Sequence, residues 1–202
     1  MNGTGTDGVG NAPQALGRRI DAIAIGASAG GVEALSLLLP ALRAASQVSV
    51  FIVIHLPRDR PSMLAEVFAA KCALPVFEAE DKLPIEAGTV CFAPPDYHLL
   101  IDTGPQFALS ADELVNFSRP SIDVLFESAA EAYGDRLLGI VLTGANSDGA
   151  AGLAAIGRAG GATIVQDPGE ARTSSMPEAA IRLRQPDHVL PLDAIARLLR
   201  SV

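Results

Sequence analysis

The sequence predicts a doubly wound α/β fold: a mainly parallel sheet with helices on both faces and one antiparallel hairpin. Three observations predict it. Apolar strand-like runs alternate with helix-like segments along the chain, and such alternation builds a parallel sheet joined by crossover helices. The runs are continuously apolar: in Val48-Ser49-Val50-Phe51-Ile52-Val53-Ile54, five of the last six residues are apolar. A strand of that kind is covered on both faces. Finally, Asp102-Thr103-Gly104-Pro105 separates two short strand-like runs as a hairpin turn would.

Residues 1–19 form a polar, Gly-rich segment ending in Arg18 and Arg19, expected to be a flexible tail, and 20–202 are expected to form a single domain. The first strand is expected over about 20–25, with Ile23 and Ile25 as strand formers. A helix over about 30–45 carries Leu35, Leu38, Leu39 and Leu42 at helical spacing. The second strand, 48–54, stops at His55-Leu56-Pro57, and Pro61 opens a helix over about 62–73 with Leu64, Val67 and Phe68 inward. Prolines break up 75–111, where 89–93, 97–102 and 106–110 read as short strands. A helix from Pro120 to about Tyr133 turns Ile122, Leu125, Phe126 and Ala129 inward. Strand 137–142 leads into Thr143-Gly144-Ala145-Asn146-Ser147-Asp148-Gly149, a small-residue helix over about 149–159, strand 162–165 and a final helix over about 193–201.

Composition limits the function classes. The net charge of −8 argues against a nucleic-acid surface, leaving only local basic groups such as Arg58, Arg60 and Arg119. Cys72 and Cys91 match no metal-ligand spacing and no disulfide framework, which suits a reducing compartment. No apolar run is long enough to span a bilayer, so no membrane insertion is expected. The N-terminus lacks the hydrophobic stretch of a secretory signal.

In an open α/β sheet the functional crevice lies beyond the carboxyl ends of the strands. Three expected strands end there in reactive residues: Ser28 after the first, His55 after the second and Asp148 after the strand at 137–142. Ser28 stands between Gly26 and Gly30, in a small-residue corner that pushes a hydroxyl outward. Each residue also has a plain structural reading. Ser28 is placed to cap the following helix, His55 to bond a backbone carbonyl, and Asp148 to cap the helix at 149–159. Their joint placement at one sheet edge favours a hydrolytic triad. His98, within a strand, reads as structural, and His188, in a loop, as a surface residue. Gly26-x-Ser28-x-x-Gly31 also approaches a dinucleotide fingerprint, but Ser28 occupies a glycine slot. No Asp or Glu lies between Glu33 and Asp59 to hold a ribose. The order Ser…His…Asp also differs from the Ser…Asp…His of α/β-hydrolases.

These residues resemble the chemotaxis protein-glutamate methylesterases. The similar blocks are 25–31, 54–57 and 143–150, with further matches at 93–98, 119–126 and 176–180. The resemblance implies hydrolysis of glutamate γ-methyl esters on the cytoplasmic helices of chemoreceptors, with glutamine deamidation as a side activity. It puts the nucleophile on Ser28, the base on His55 and the orienting acid on Asp148. The backbone N–H groups of Ala29 and Ala145 are expected to hold the oxyanion. No metal and no cofactor is implied. The expected partner is a methylated chemoreceptor cytoplasmic domain or a similar signalling protein, in the cytoplasm. The family usually carries a receiver domain ahead of this one; with about 20 polar residues before the first strand, a regulator supplied in trans is expected. Ala29 stands where threonine is common, and Ala145-Asn146 where Met-Gly is common, which changes contacts beside the nucleophile. Two alternatives are a serine hydrolase of this fold acting on another modified protein, and a non-catalytic docking module.

Overall fold

The computed structural model describes residues 16–56 and 62–202. The expectations for residues 1–15 and for Pro57, Arg58, Arg60 and Pro61 lie outside the described residues. Nine strands and six α-helices are described: β1 (Ala22–Ala27), α1 (Gly31–Leu38), β2 (Ser49–Ile54), α2 (Leu64–Ala69), β3 (Val76–Glu78), β4 (Val90–Phe92), β5 (His98–Ile101), β6 (Phe107–Ser110), α3 (Ile122–Tyr133), β7 (Leu137–Val141), α4 (Ala150–Arg158), β8 (Ala162–Gln166), α5 (Ser175–Leu183), β9 (His188–Leu190) and α6 (Leu192–Leu199). Seven strands pair in parallel in the order β3-β4-β2-β1-β7-β8-β9, and β5 and β6 form a separate antiparallel pair.

The continuously apolar strands are buried throughout, as a sheet covered on both faces requires: every residue of β1, β2, β7 and β8 is buried. Alternate residues supply two cores. Ile23, Ile25, Val50 and Ile52 pack with Leu35, Leu38, Phe68, Ile195 and Leu199 on one face. Ala22, Ala24, Phe51 and Val53 pack with Ile122, Phe126, Leu153, Met176 and the hairpin residues Leu99 and Phe107 on the other. So α1, α2 and α6 cover one face, and α3, α4, α5 and the hairpin cover the other.

The expected elements differ from the observed ones mainly where they are short. The first helix stops at Leu38 and passes into a 3-10 turn over Leu39–Ala41, because Pro40 has no N–H to continue the ladder. Val67, expected inward, is exposed, while Leu64 and Phe68 are buried. Three elements were not anticipated: β3, α5 and β9. The two strands have three residues each, and the buried face of α5 includes the small Ala179 and Ala180, so none carries a strong periodic signal. Residues 16–19, expected in the tail, already meet the fold: Leu16 packs against the first core, and Arg18 Nη1 donates to Gly160 O at 2.6 Å.

Chain order sets the site. β1 lies centrally, β2 lies on one side of it and β7 on the other. The connections therefore diverge at β1, and a crevice opens there beyond the strands' carboxyl ends. Gly26 reflects this crowding, because a Cβ there would collide with Ile122 at the head of α3. We expect Gly26→Ala to destabilise the protein by about 1–3 kcal/mol, as overpacking does. Urea denaturation checks this; an unchanged midpoint would mean that the head of α3 shifts freely.

Candidate active site

Ser28 and His55 leave the sheet side by side. Ala27 pairs with Ile54 in the β1–β2 register, so the next residue of each strand steps into the crevice together. The ladders run one residue further: His55 N–H donates to Ala27 O at 3.1 Å, and Ser28 N–H to Thr143 O at 2.9 Å. Both side chains are half-buried. Ser28 does not cap α1. That cap is Gly30, at φ 86°, a left-handed conformation that favours glycine, and no side chain bonds to it.

Asp148 arrives from the loop after β7 and is fully buried. It does not cap α4 either; Gly149 does, without a side-chain bond. Its carboxylate instead accepts at the head of α3, from the N–H groups of Ile122 at 2.7 Å (Oδ2) and Asp123 at 3.2 Å (Oδ1). The first turn of a helix offers free N–H groups and a positive dipole end, so an anion is stabilised there. Ser121 Oγ donates to Oδ1 at 2.8 Å, and Asn116 Nδ2 donates to Oδ1 at 3.0 Å. The fifth partner is His55: its Nε2 lies 2.9 Å from Asp148 Oδ2. With Nε2 as donor, the imidazole lone pair lies on Nδ1.

Burial acts to raise the Asp148 carboxyl. The bonds from His55, Asn116, Ile122 and Ser121 outweigh it and hold the group below its ordinary value. Asp123 goes the other way. Burial pushes it up, the N–H of Gly152 at 2.6 Å and the amide of Asn116 at 2.8 Å pull it down in part, and the charge of Asp148 adds to the rise.

Thr143 joins the Ser28 corner to the β7 loop. Its carbonyl accepts from Ser28 N–H, and its Oγ1 donates to Ala29 O at 2.8 Å and accepts from Thr173 N–H at 3.0 Å. Ala29 and Ala145 flank this tie, and both are exposed. Among the described residues neither N–H has an acceptor.

The remaining expected residues fall elsewhere. His98 is buried; its Nδ1 accepts from Ser121 N–H at 3.1 Å and its Nε2 donates to Glu113 O at 3.0 Å, so it braces the residue that bonds Asp148. His188 is not in a loop but opens β9, at the end of the sheet opposite the crevice. Arg119 is no open basic group: it donates to Asp96 through Nε and Nη2, and to the carbonyls of Ala111 and Asp112 through Nη1. Sequence reasoning missed Asn116 and Ser121 as Asp148 partners. Among the described residues, no three His, Cys, Asp or Glu side chains cluster as metal ligands do, and no helix is long and apolar enough to cross a membrane.

A family model described as CheB methylesterase matches residues 23–199. A putative protein-glutamate methylesterase/protein-glutamine glutaminase of Leptospira interrogans is 47% identical over 178 residues, covering 88% of this chain and 92% of that relative. A protein-glutamate methylesterase/protein-glutamine glutaminase of Trichodesmium erythraeum is 37% identical over 186 residues, covering 91% of this chain; the chain spans 53% of that longer relative. The crystal structure of the Thermotoga maritima CheB methylesterase catalytic domain superposes with a TM-score of 0.85 at 30% identity, covering 91% of this chain and 99% of that one. The match runs from β1 through the last helix and includes all three strands that frame the crevice, and on that footing the chain belongs to the CheB methylesterase family.

Proposed function

We propose that residues 20–202 act as one catalytic domain that hydrolyses glutamate γ-methyl esters on the cytoplasmic helices of chemoreceptors. The single observation that carries this reading is the His55–Asp148 bond at 2.9 Å, set where β1 and β2 deliver Ser28 beside His55. Ser28 is the nucleophile, His55 the base and Asp148 the orienting acid. Ser28 Oγ attacks the ester carbonyl carbon as His55 Nδ1 takes its proton. Asp148 holds Nε2–H and stabilises the imidazolium. The carbonyl oxygen becomes an oxyanion, held by the N–H groups of Ala29 and Ala145. The intermediate collapses, Nδ1 returns the proton to the departing methoxide, and methanol leaves an acyl-enzyme. Water then attacks the acyl carbon with His55 again as base, freeing the glutamate carboxyl group and restoring Ser28. Deamidation of a glutamine follows the same steps, with ammonia as the group that leaves.

The substrate helix would lie in the cytoplasm, and the protein with it. The test is methanol release from methylated chemoreceptor membranes. Release by the wild-type protein supports the reading. A protein that labels with a serine-directed fluorophosphonate yet releases no methanol would be a hydrolase for another modified protein. One that does neither would be a docking module.

A further inference from the structure

The turn over residues 115–118 carries an unexplained conformation. Val115 and Ser118 exchange both backbone hydrogen bonds, at 3.2 and 2.9 Å, and the two residues between them, Asn116 and Phe117, take φ of 50° and 61°. Two successive left-handed residues make the tight hairpin turn that normally uses Asn-Gly, and phenylalanine in the second place is strained. Such strain persists only where the surroundings impose it, and it points to function. One constraint on the turn is the Asn116 amide. From an exposed turn it reaches inward and its Nδ2 donates to two carboxylates, Asp123 Oδ2 at 2.8 Å and Asp148 Oδ1 at 3.0 Å.

We propose that Asn116 is a positioning residue, whose amide separates the paired carboxylates of Asp123 and Asp148 and keeps Asp148 Oδ2 aimed at His55. The inference rests on the triad reading above. One planar NH2 group has two hydrogens at a fixed angle, so bonding both carboxylates fixes them relative to each other. It grips the Asp148 oxygen that does not face His55, leaving Oδ2 to His55 and Ile122 N–H. Without the amide, Asp148 Oδ1 keeps Ser121 and the Asp123 N–H, and Asp123 Oδ1 keeps the Gly152 N–H, whereas Asp123 Oδ2 loses the Asn116 donor. What changes is that two buried carboxylates face each other with no donor between them, and the site takes up a proton more readily. A proton taken up on Asp123 Oδ2 offsets part of the lost bond but alters the charge facing Asp148, so the loss falls on the reaction more than on the fold.

The test is Asn116→Gly, which keeps the left-handed turn and removes the amide. The readouts are the rate at which a fluorophosphonate labels Ser28, kcat and KM for methanol release from methylated chemoreceptor membranes, and the thermal midpoint. Labelling and kcat are expected to fall by about 10–100-fold, the scale on which misplacement of a supporting group acts. KM is expected to stay within about twofold, and the acid limb of the rate profile to move to higher pH. The titratable groups facing Asp148 in that profile are His55 from the end of β2, Asp123 from α3 with Glu127 beyond it, and His98 from β5 through Ser121. Labelling of Asn116→Gly at the wild-type rate overturns the proposal. So does a lowered rate that follows a collapse of the thermal midpoint, since the amide would then hold only the fold. Asn116→Ala, which loses the same amide, must give the same separation of kcat from KM. Ser28→Ala keeps the two levels apart: if it retains activity, the triad itself falls, whereas an inactive Ser28→Ala beside a fully active Asn116→Gly removes Asn116 alone.

Discussion

Ser28→Ala is expected, on the proposed triad, to lower kcat for methyl-ester hydrolysis by about 10⁴ or more, because triad residues act as a unit and removal of the proposed nucleophile leaves only binding and the proposed oxyanion donors. The expected change is in the reaction and not in the fold. Among the described residues, the bonds of Ser28 come from its backbone: its N–H continues the β1–β7 ladder onto Thr143 O, its carbonyl accepts from Gly31 N–H at 2.8 Å, and α1 is capped by Gly30. Alanine retains all of that. The thermal midpoint should therefore match that of wild type, and fluorophosphonate labelling should disappear. KM should change little, since the hydroxyl is not needed to dock the proposed receptor-helix substrate. Near-normal methanol release by the alanine protein would transfer the nucleophile to another group and dissolve the reading of the crevice. A residual rate well above the uncatalysed one is still expected, with water attacking in place of the serine, and its size measures what substrate binding and the proposed oxyanion donors, the Ala29 and Ala145 N–H groups, contribute together.

Much of this site is legible in the chain before folding, and the reason is topological. In a parallel sheet the carboxyl ends of neighbouring strands share one rim, so a residue just after a continuously apolar run is placed without knowledge of any side-chain contact. Ser28 and His55 follow that rule directly. Asp148 lies seven residues past the end of β7, and the rule extends to it only because the intervening loop is short. The roles of Gly30 and Gly149 as helix caps are also local features, though Ser28 and Asp148 were equally plausible caps from spacing alone. The support around Asp148 is a different matter. Asn116, Ser121 and the amides of Ile122 and Asp123 reach it from 25 to 32 residues away in sequence. Nothing in their spacing signals a carboxylate. Asn116-Phe117 is a weak turn signal without a glycine, and the carboxylates its amide reaches cannot be read from it. The short elements β3 and β9 were hidden for a related reason: three residues are too few to show a period.

The same support makes Asp148→Asn the second large effect, expected to lower kcat by about 10⁴ and stability by about 1–3 kcal/mol. Five donors converge on this carboxylate: His55 Nε2 and Ile122 N–H on Oδ2, and Ser121 Oγ, Asn116 Nδ2 and Asp123 N–H on Oδ1. An asparagine has one oxygen and an NH2 group, so donors must face donors on one side. If the NH2 group faces His55, the ring can relieve the clash only by moving its proton to Nδ1, the nitrogen proposed as base, and the Ile122 N–H stays unpaired. If it faces the other side, Ser121 can rotate its hydroxyl, but the Asp123 N–H cannot turn away. In either case one buried donor is left without an acceptor. The pH dependence follows from the sign of the shift. Burial raises the Asp148 carboxyl and its donors lower it further, so the folded value lies below the unfolded 3.8. Its contribution to stability is complete above 3.8 and is lost as the pH falls through the lower folded value. Urea denaturation should therefore show a wide gap between wild type and Asp148→Asn at neutral pH, closing as the pH is brought well below 3.8. A gap that persists undiminished in acid would mean that the amide destabilises the site by shape alone, and equal kcat values would remove Asp148 from the chemistry altogether.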